Sequence, residues 1–191
     1  MKRHAAFRII ILLSALLVLQ LSLYSQKKTR LGIDLTSNYD ENTSFKPEAG
    51  LIFERQFSKH SGIEAGLNYR TNQVQLYMIY NNESYYPFIS EHYISVPLTY
   101  KYYTRIINLS LGLSYDYYIG YRQLDDDLTV TSYHMGYDYY MGALAKVSRQ
   151  ICLGDDLVLE PEIKVNLLYD EISVKNYIGF GLSLKFDVSK E

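Results

Sequence analysis

Apolar and polar residues alternate without a break through residues 107–122, INLSLGLSYDYYIGYR. Apolar or aromatic side chains occupy every second position from Ile107 to Tyr121, and mostly small, polar or charged side chains lie between them. A period of two is typical of a β-strand with two unlike faces. This stretch is much longer than the usual strand of about 5–6 residues, so the pattern predicts an unusually long strand.

The same period recurs along the chain after Lys28, where no stretch shows convincing helical spacing. Connections after the first, third and fifth strands are longer and polar or Tyr-rich, and those after the second and fourth are short. Short turns at one end and longer loops at the other are typical of an outer-membrane barrel, and an even strand number places both mature termini on the periplasmic side. The predicted strands are residues 30–39, 47–57, 62–70, 93–103, 107–122, 134–147, 157–170 and 177–188. The fifth and sixth exceed the about 9–11 tilted residues that cross a bilayer, so we expect their hairpin to project beyond the outer surface.

The chemistry of the two faces indicates which one points inward. The polar face combines Gly, Ser and Asn with both charge signs, which suits a narrow lumen, and many of the 21 tyrosines lie near strand ends, as membrane-interface girdles require. We therefore predict an all-β fold, an eight-stranded antiparallel up-and-down transmembrane β-barrel. Its interior is just wide enough for side chains to fill. The predicted lumen charge network comprises Glu64, Arg70, Lys101, Asp116, Asp138, Lys146, Glu160, Glu162 and Lys164.

The N-terminal segment differs from the rest of the chain. Lys2, Arg3 and Arg8 precede an apolar run from Ile9 to Leu23, a pattern typical of a secretory signal peptide. We predict a signal peptide at residues 1–26, followed by the barrel domain at 27–191, with an uncleaved anchor as the alternative. No cysteine follows the apolar run, so processing as a lipoprotein is not available.

Two motifs carry a family resemblance. The stretch ISVPLTYKYY, residues 94–103, resembles the strand found midway through PorT-like outer-membrane β-barrels, within the wider class of OmpA- and OmpX-type small barrels. The last strand resembles the terminal signal read by the barrel-insertion machinery, through Gly181, Leu184 and Phe186, although the chain continues through residues 187–191. This resemblance implies an exported protein of the outer membrane, with its lipid, lipopolysaccharide and the insertion machinery as partners.

Candidate catalytic chemistry is weak. Some small outer-membrane barrels modify lipid A, and His92 with Ser95, or His134 with Ser132, are the available pairs. Neither pair has a recognisable motif or an evident orienting carboxylate. We therefore predict a protein that is not an enzyme and needs no cofactor. The acidic run 125–127 is a solvated loop or, alternatively, a surface site for divalent ions.

The predicted function is a structural or binding role, with projecting extracellular hairpins as the surface for an unknown partner. A formal net charge of −2 argues against a nucleic-acid binder that needs a broad basic surface. Three alternatives remain from the sequence: a lipid-modifying enzyme of the same fold, an accessory component of a secretion or assembly system, and a soluble lipocalin-like ligand carrier.

Overall fold

A computed structural model describes residues 28–39, 46–80, 83–124, 139–169 and 174–189. In this part of the chain, no helix is long and apolar enough to cross a membrane. The strands are β1 (Thr29–Tyr39), β2 (Lys46–Gln56), β3 (Ser61–Gln75), β4 (Met78–Tyr80), β5 (Glu83–Tyr85), β6 (Phe88–Tyr103), β7 (Asn108–Gln123), β8 (Tyr139–Ser148), β9 (Ile151–Cys152), β10 (Leu157–Tyr169) and β11 (Val174–Asp187).

Eight of these strands form one closed antiparallel ring, in the order β1, β2, β3, β6, β7, β8, β10 and β11. The ring closes where the first strand pairs with the last, from Arg30 opposite Asp187 to Tyr39 opposite Ile178. The eight-stranded up-and-down barrel predicted from the alternation is therefore confirmed. Closure leaves the ring without a free edge, so its ladder hydrogen bonds are satisfied within the protein.

The two ends of the barrel differ in their connections. Residues 57–60, 104–107 and 149–156 join strands at one end, which we call the short-turn end, and both ends of the described chain lie there. The opposite, long-loop end carries the remaining connections. The sequence predicted the stretch after β8 to be only a connection, but it contains β9, whose Cys152 pairs with Val158 of β10.

The strongest departure from the predicted strands is a tall hairpin formed by β3 and β6. We predicted strands ending at residue 70 and beginning at 93, but pairing continues from Thr71 opposite His92 to Gln75 opposite Phe88. The small β4–β5 sheet caps this extension. We had predicted that the following hairpin, of the fifth and sixth strands, would project. β7 is as long as β6, but the start of the sixth predicted strand, 134–138, lies outside the described residues.

A β-bulge lies where the tall hairpin meets β7. His92 pairs with Gly120 and Tyr93 with Tyr118, so one extra residue of β7 is accommodated between these pairs. Gly120 has a φ of 149°, a region that glycine enters without steric cost. Bulges bend a strand and increase its twist, so this one reorients the projecting part of the wall.

The faces of the sheet are arranged as a membrane barrel requires. Leu113 on β7 is 60% exposed, whereas the neighbouring Ser114 and Asp116 are 1% and 0% exposed because they face the lumen. A soluble barrel has the opposite arrangement. On β6 the outward-facing side chains run from His92 to Tyr102. This length is in line with the about 9–11 tilted residues that cross a bilayer.

We expect Leu113→Arg to impair insertion strongly. Leu113 pairs with Leu98 near the middle of that span, and a lipid-facing Arg at the midplane costs about 2–4 kcal/mol. The measurement is the folded fraction after refolding into phospholipid vesicles, seen as heat-modifiable gel migration. Ile106→Arg is the control, since Ile106 is similarly exposed, at 69%, but lies in a short turn. Equal folded fractions for both variants would contradict the orientation of the sheet.

Candidate functional site

The lumen at the short-turn end contains three converging carboxylates. Glu54 of β2, Glu64 of β3 and Glu160 of β10 each have an oxygen within 4.8 Å of the others. Lys185 of β11 reaches all three, with Nζ 2.7 Å from Glu54 Oε2, 2.6 Å from Glu64 Oε2 and 2.8 Å from Glu160 Oε2. We call these four residues, together with Arg30 and Lys101, the ion cluster.

Lys101 and Arg30 supply the remaining positive charge of the ion cluster. Lys101 Nζ lies 2.8 Å from Glu54 Oε2 and 3.3 Å from Glu64 Oε2, and it also contacts Glu160. Arg30 Nη1 lies 2.6 Å from Glu54 Oε1. Three converging carboxylates are a ligand set for a hard cation such as Ca²⁺, but here the lysine ammonium groups balance their charge. We therefore assign no metal to this position.

A second layer of charges lies above the ion cluster. Lys146 bridges the layers, because it contacts Glu64 below and Glu162 Oε2, at 2.8 Å, above. Lys164 Nζ lies 2.9 Å from Glu48 Oε1, and the side-chain amides of two asparagines also donate to that carboxylate. Asp34 accepts hydrogen bonds from two hydroxyls instead, those of Thr36 and Ser183.

Aromatic rings fill the lumen toward the long-loop end. Arg70 pairs with Asp116, and its Cζ lies 4.6 Å from the Tyr177 ring centroid and 5.3 Å from that of Tyr93. Tyr93 packs edge-on against Tyr140, with their ring centroids 6.0 Å apart. Cation–π contacts of this kind stabilise a desolvated guanidinium.

The cavity between these layers is small. It measures about 20 Å³ and its lining includes Glu64, Lys146 and Asn166. A cavity needs about 10–15 Å³ to hold one water molecule. The polar side chains that line this cavity therefore have little room for water beside them, which raises the cost of leaving any of them without a partner.

The structure divides the described members of the predicted lumen network among one connected set of ion pairs, one separate pair and one bond to a residue that was not predicted. Arg70 and Asp116 form a separate pair, Lys164 bonds Glu48, and Asp138 lies outside the described residues. All the described members are at most 8% exposed. The predicted residues that share one connected network of ion pairs are Glu64, Lys101, Lys146, Glu160 and Glu162.

Sequence reasoning missed several central members of the network. Glu54 lies between the outward Phe53 and Arg55, and Lys185 lies between Leu184 and Phe186. The period of two places both side chains in the lumen, so the signal was present. The missed buried charges are Arg30, Asp34, Lys46, Glu48, Glu54, Glu91 and Lys185.

The predicted insertion residues lie on β11, the strand that closes the ring. Phe186 is 51% exposed on the outer face, where it pairs with Leu31 of β1. Gly181 faces the lumen, and a Cβ placed there would lie 2.7 Å from Thr36 Oγ1 and 2.9 Å from Glu162 Cγ. Gly181 therefore has a packing role, whatever its part in assembly.

The candidate catalytic pair of His92 and Ser95 does not form. His92 points outward from β6, whereas Ser95 points into the lumen and is 4% exposed. His92 instead stacks on Tyr69, with ring centroids 5.8 Å apart, and its Nδ1 is hydrogen-bonded to the Tyr69 hydroxyl. Ser132, His134 and the acidic run 125–127 lie outside the described residues.

Comparison with known proteins gives a family match over most of the chain. The family model described as "Outer membrane protein beta-barrel domain" matches residues 24–189. A search of curated proteins gives no match.

Several solved structures share the fold at low sequence identity. The chain is similar to a major outer membrane protein from Thermus thermophilus, at 12% identity and a TM-score of 0.54, covering 85% of this chain and 99% of that one. It is also similar to OprG from Pseudomonas aeruginosa, at 14% identity and a TM-score of 0.49, covering 85% and 96%. For Neisserial surface protein A the identity is 10% and the TM-score 0.47, covering 85% and 97%.

We expect Lys185→Met to lower the free energy of unfolding by about 3–5 kcal/mol, because removing one partner leaves buried charges uncompensated. Lys185 is 0% exposed and contacts three carboxylates. The measurement is urea unfolding in detergent micelles. Lys59→Met, in an exposed turn, serves as the control and should stay close to wild type. A wild-type midpoint for Lys185→Met would contradict the network.

Proposed function

This chain belongs to the outer membrane protein beta-barrel domain family, and from that premise we propose a structural or binding role, with a lumen closed by charged side chains. The observation that carries the proposal is the connected set of buried ion pairs across the barrel. The family and the apolar outer surface overturn one alternative left open by the sequence, the soluble lipocalin-like carrier.

The closed lumen is inferred from size and charge together. An eight-stranded ring has an interior just wide enough for side chains, and the second charge layer leaves a cavity of about 20 Å³. An ion passing through would have to separate Lys185 and Lys101 from their carboxylates. Breaking buried pairs is costly, so the ion cluster acts as a barrier to conduction.

We expect purified protein in a planar lipid bilayer to show no large, steady current. An ion crossing the lumen would have to break the buried pairs of the ion cluster, which is costly. The measurement is single-channel conductance in 1 M salt, a concentration that screens exposed charges within about 3 Å but screens buried pairs much less. A steady ion-selective current from the wild type would overturn the closed lumen and favour a channel.

The tall hairpin is the proposed interaction surface. Tyr77 and Tyr86 flank the β4–β5 cap with ring centroids 5.4 Å apart, and they are 61% and 56% exposed. Ile79, 66% exposed, lies beside them on β4. Tyrosine provides a large contact area at low entropic cost, and the pairing of β3 with β6 gives this apolar tip a rigid support. These features fit a protein partner at the cell surface.

The proposed orientation places the long-loop end outside the cell and both mature termini in the periplasm. It is supported by the family's usual arrangement of short periplasmic turns and longer extracellular loops. A signal peptide at residues 1–26, outside the described residues, would direct export to the insertion machinery. The outer-membrane location itself follows from family membership.

Two finer assignments belong to the same proposal. Membership of the PorT-like subgroup is supported by ISVPLTYKYY in β6, and it would make an accessory role in secretion or assembly the second candidate. A lipid-modifying enzyme has no support from His92 and Ser95, which lie on opposite faces of β6, and His134 and Ser132 lie outside the described residues. We therefore propose a protein without catalytic activity or cofactor.

We expect cysteine labelling to report the orientation directly. In a Cys152→Ser background, Ser84→Cys on the β5 cap should react with a membrane-impermeant maleimide in intact cells, because its side chain is exposed on the tall hairpin. Ser58→Cys, in an exposed short turn, should react only after the outer membrane is permeabilised. The reverse pattern would show that the barrel is inserted the other way round.

A further inference from the structure

A groove crosses the outer surface of β11, β1, β2 and β3, in the half of the barrel nearer the long-loop end. Its volume is about 570 Å³, within the range of about 300–1,000 Å³ for ligand pockets. Ala49 lies between Leu35 and Tyr69 in the register of adjacent strands. Because one small side chain interrupts a row of large ones, the surface is concave here. We call this feature the wall groove.

The polarity of the wall groove changes along its length. Toward the middle of the membrane it is lined by Leu35 and Leu182, which pair across β1 and β11. One row closer to the long-loop end, the hydroxyls of Ser37 and Thr71 lie among the apolar Phe180 and Pro47. A lipid in the membrane leaflet at that end has the same order of polarity. Its ester and phosphate groups lie toward the membrane surface and its acyl chains lie toward the middle of the membrane.

A hydrogen-bond donor lies beside the polar end. His92 pairs with Thr71 across β3 and β6 and lies at the end of the span that crosses the membrane. If the Tyr69 hydroxyl donates to His92 Nδ1, the ring proton is on Nε2. No described residue accepts a hydrogen bond from that nitrogen. The stack on Tyr69 holds the imidazole in place, so in this tautomer Nε2–H is fixed at the outer end of the span that crosses the membrane.

We propose that the wall groove binds one lipid molecule of the surrounding leaflet. One acyl chain lies along Ala49, and an ester or phosphate oxygen of the same lipid accepts a hydrogen bond from His92 Nε2. A water-soluble ligand does not fit, because the neighbouring Phe180 and Leu182 are about half exposed in the lipid-facing surface. The inference depends on the membrane location alone, and not on the closed lumen or the partner surface.

Lipid retention tests the proposal with a matched pair of variants. Full-length protein is reconstituted in dimyristoylphosphatidylglycerol nanodiscs, and native mass spectrometry counts the lipids that remain after gentle detergent extraction. Ala49→Phe should reduce the fraction with one bound lipid by about tenfold or more, as expected when two or more methylene groups lose burial. Ala143→Phe replaces another outward alanine, on β8, and should retain lipid as the wild type does.

A third variant tests the polar end. His92→Phe keeps an aromatic ring on Tyr69 but removes the donor, and it should lower lipid retention about three- to tenfold, the value of one hydrogen bond. Ala49→Leu keeps the test valid if the phenylalanine variant fails to insert, since Leu35 and Leu51 already occupy neighbouring outward positions. Wild-type retention in the Ala49 variants, or equal loss in Ala143→Phe, would overturn the proposal.

Discussion

The backbone hydrogen bond in a medium without water is the constraint on which the rest of this structure depends. Lipid offers no partner to an amide or a carbonyl, so every spanning strand must have a neighbour on both sides. The pairing of β1 with β11 meets this requirement for the first and last strands. Once the ring is closed, alternate side chains have only two environments, the lipid and the lumen, and the sequence divides its apolar and polar residues accordingly.

The lumen shows how that division is made compatible with stability. Charged groups cannot face the lipid, and in a narrow interior they have little water, so they must pair with one another. Along the barrel axis the charges find partners in three successive places: the ion cluster, the layer around Glu48 and the aromatic rings around Arg70. Net stabilisation from such pairs is small because desolvation offsets the attraction. A shifted register would separate the partners, so the pairs also favour the observed register.

The strands and the inward direction of most charges could be predicted because a period of two is a local signal. The partners of each charge could not, because Glu54 and Lys185 are far apart in sequence and meet only through the register of the closed ring. The tall hairpin was missed for a different reason. Outward Gln73 and Gln75 are polar, so above the membrane the contrast between faces disappears while the pairing continues. The wall groove likewise needs the register of four strands.

The position of Lys185 on the final strand ties the ion cluster to closure of the ring. Its three carboxylates come from β2, β3 and β10, and β11 pairs with β10 on one side and with β1 on the other. Glu160 therefore meets Glu54 and Glu64 only when β11 joins β1, the step that also completes the contacts of Lys185 with all three. Since Lys101 likewise reaches Glu160 across the lumen, the ion cluster has its full set of ion pairs only in the closed barrel.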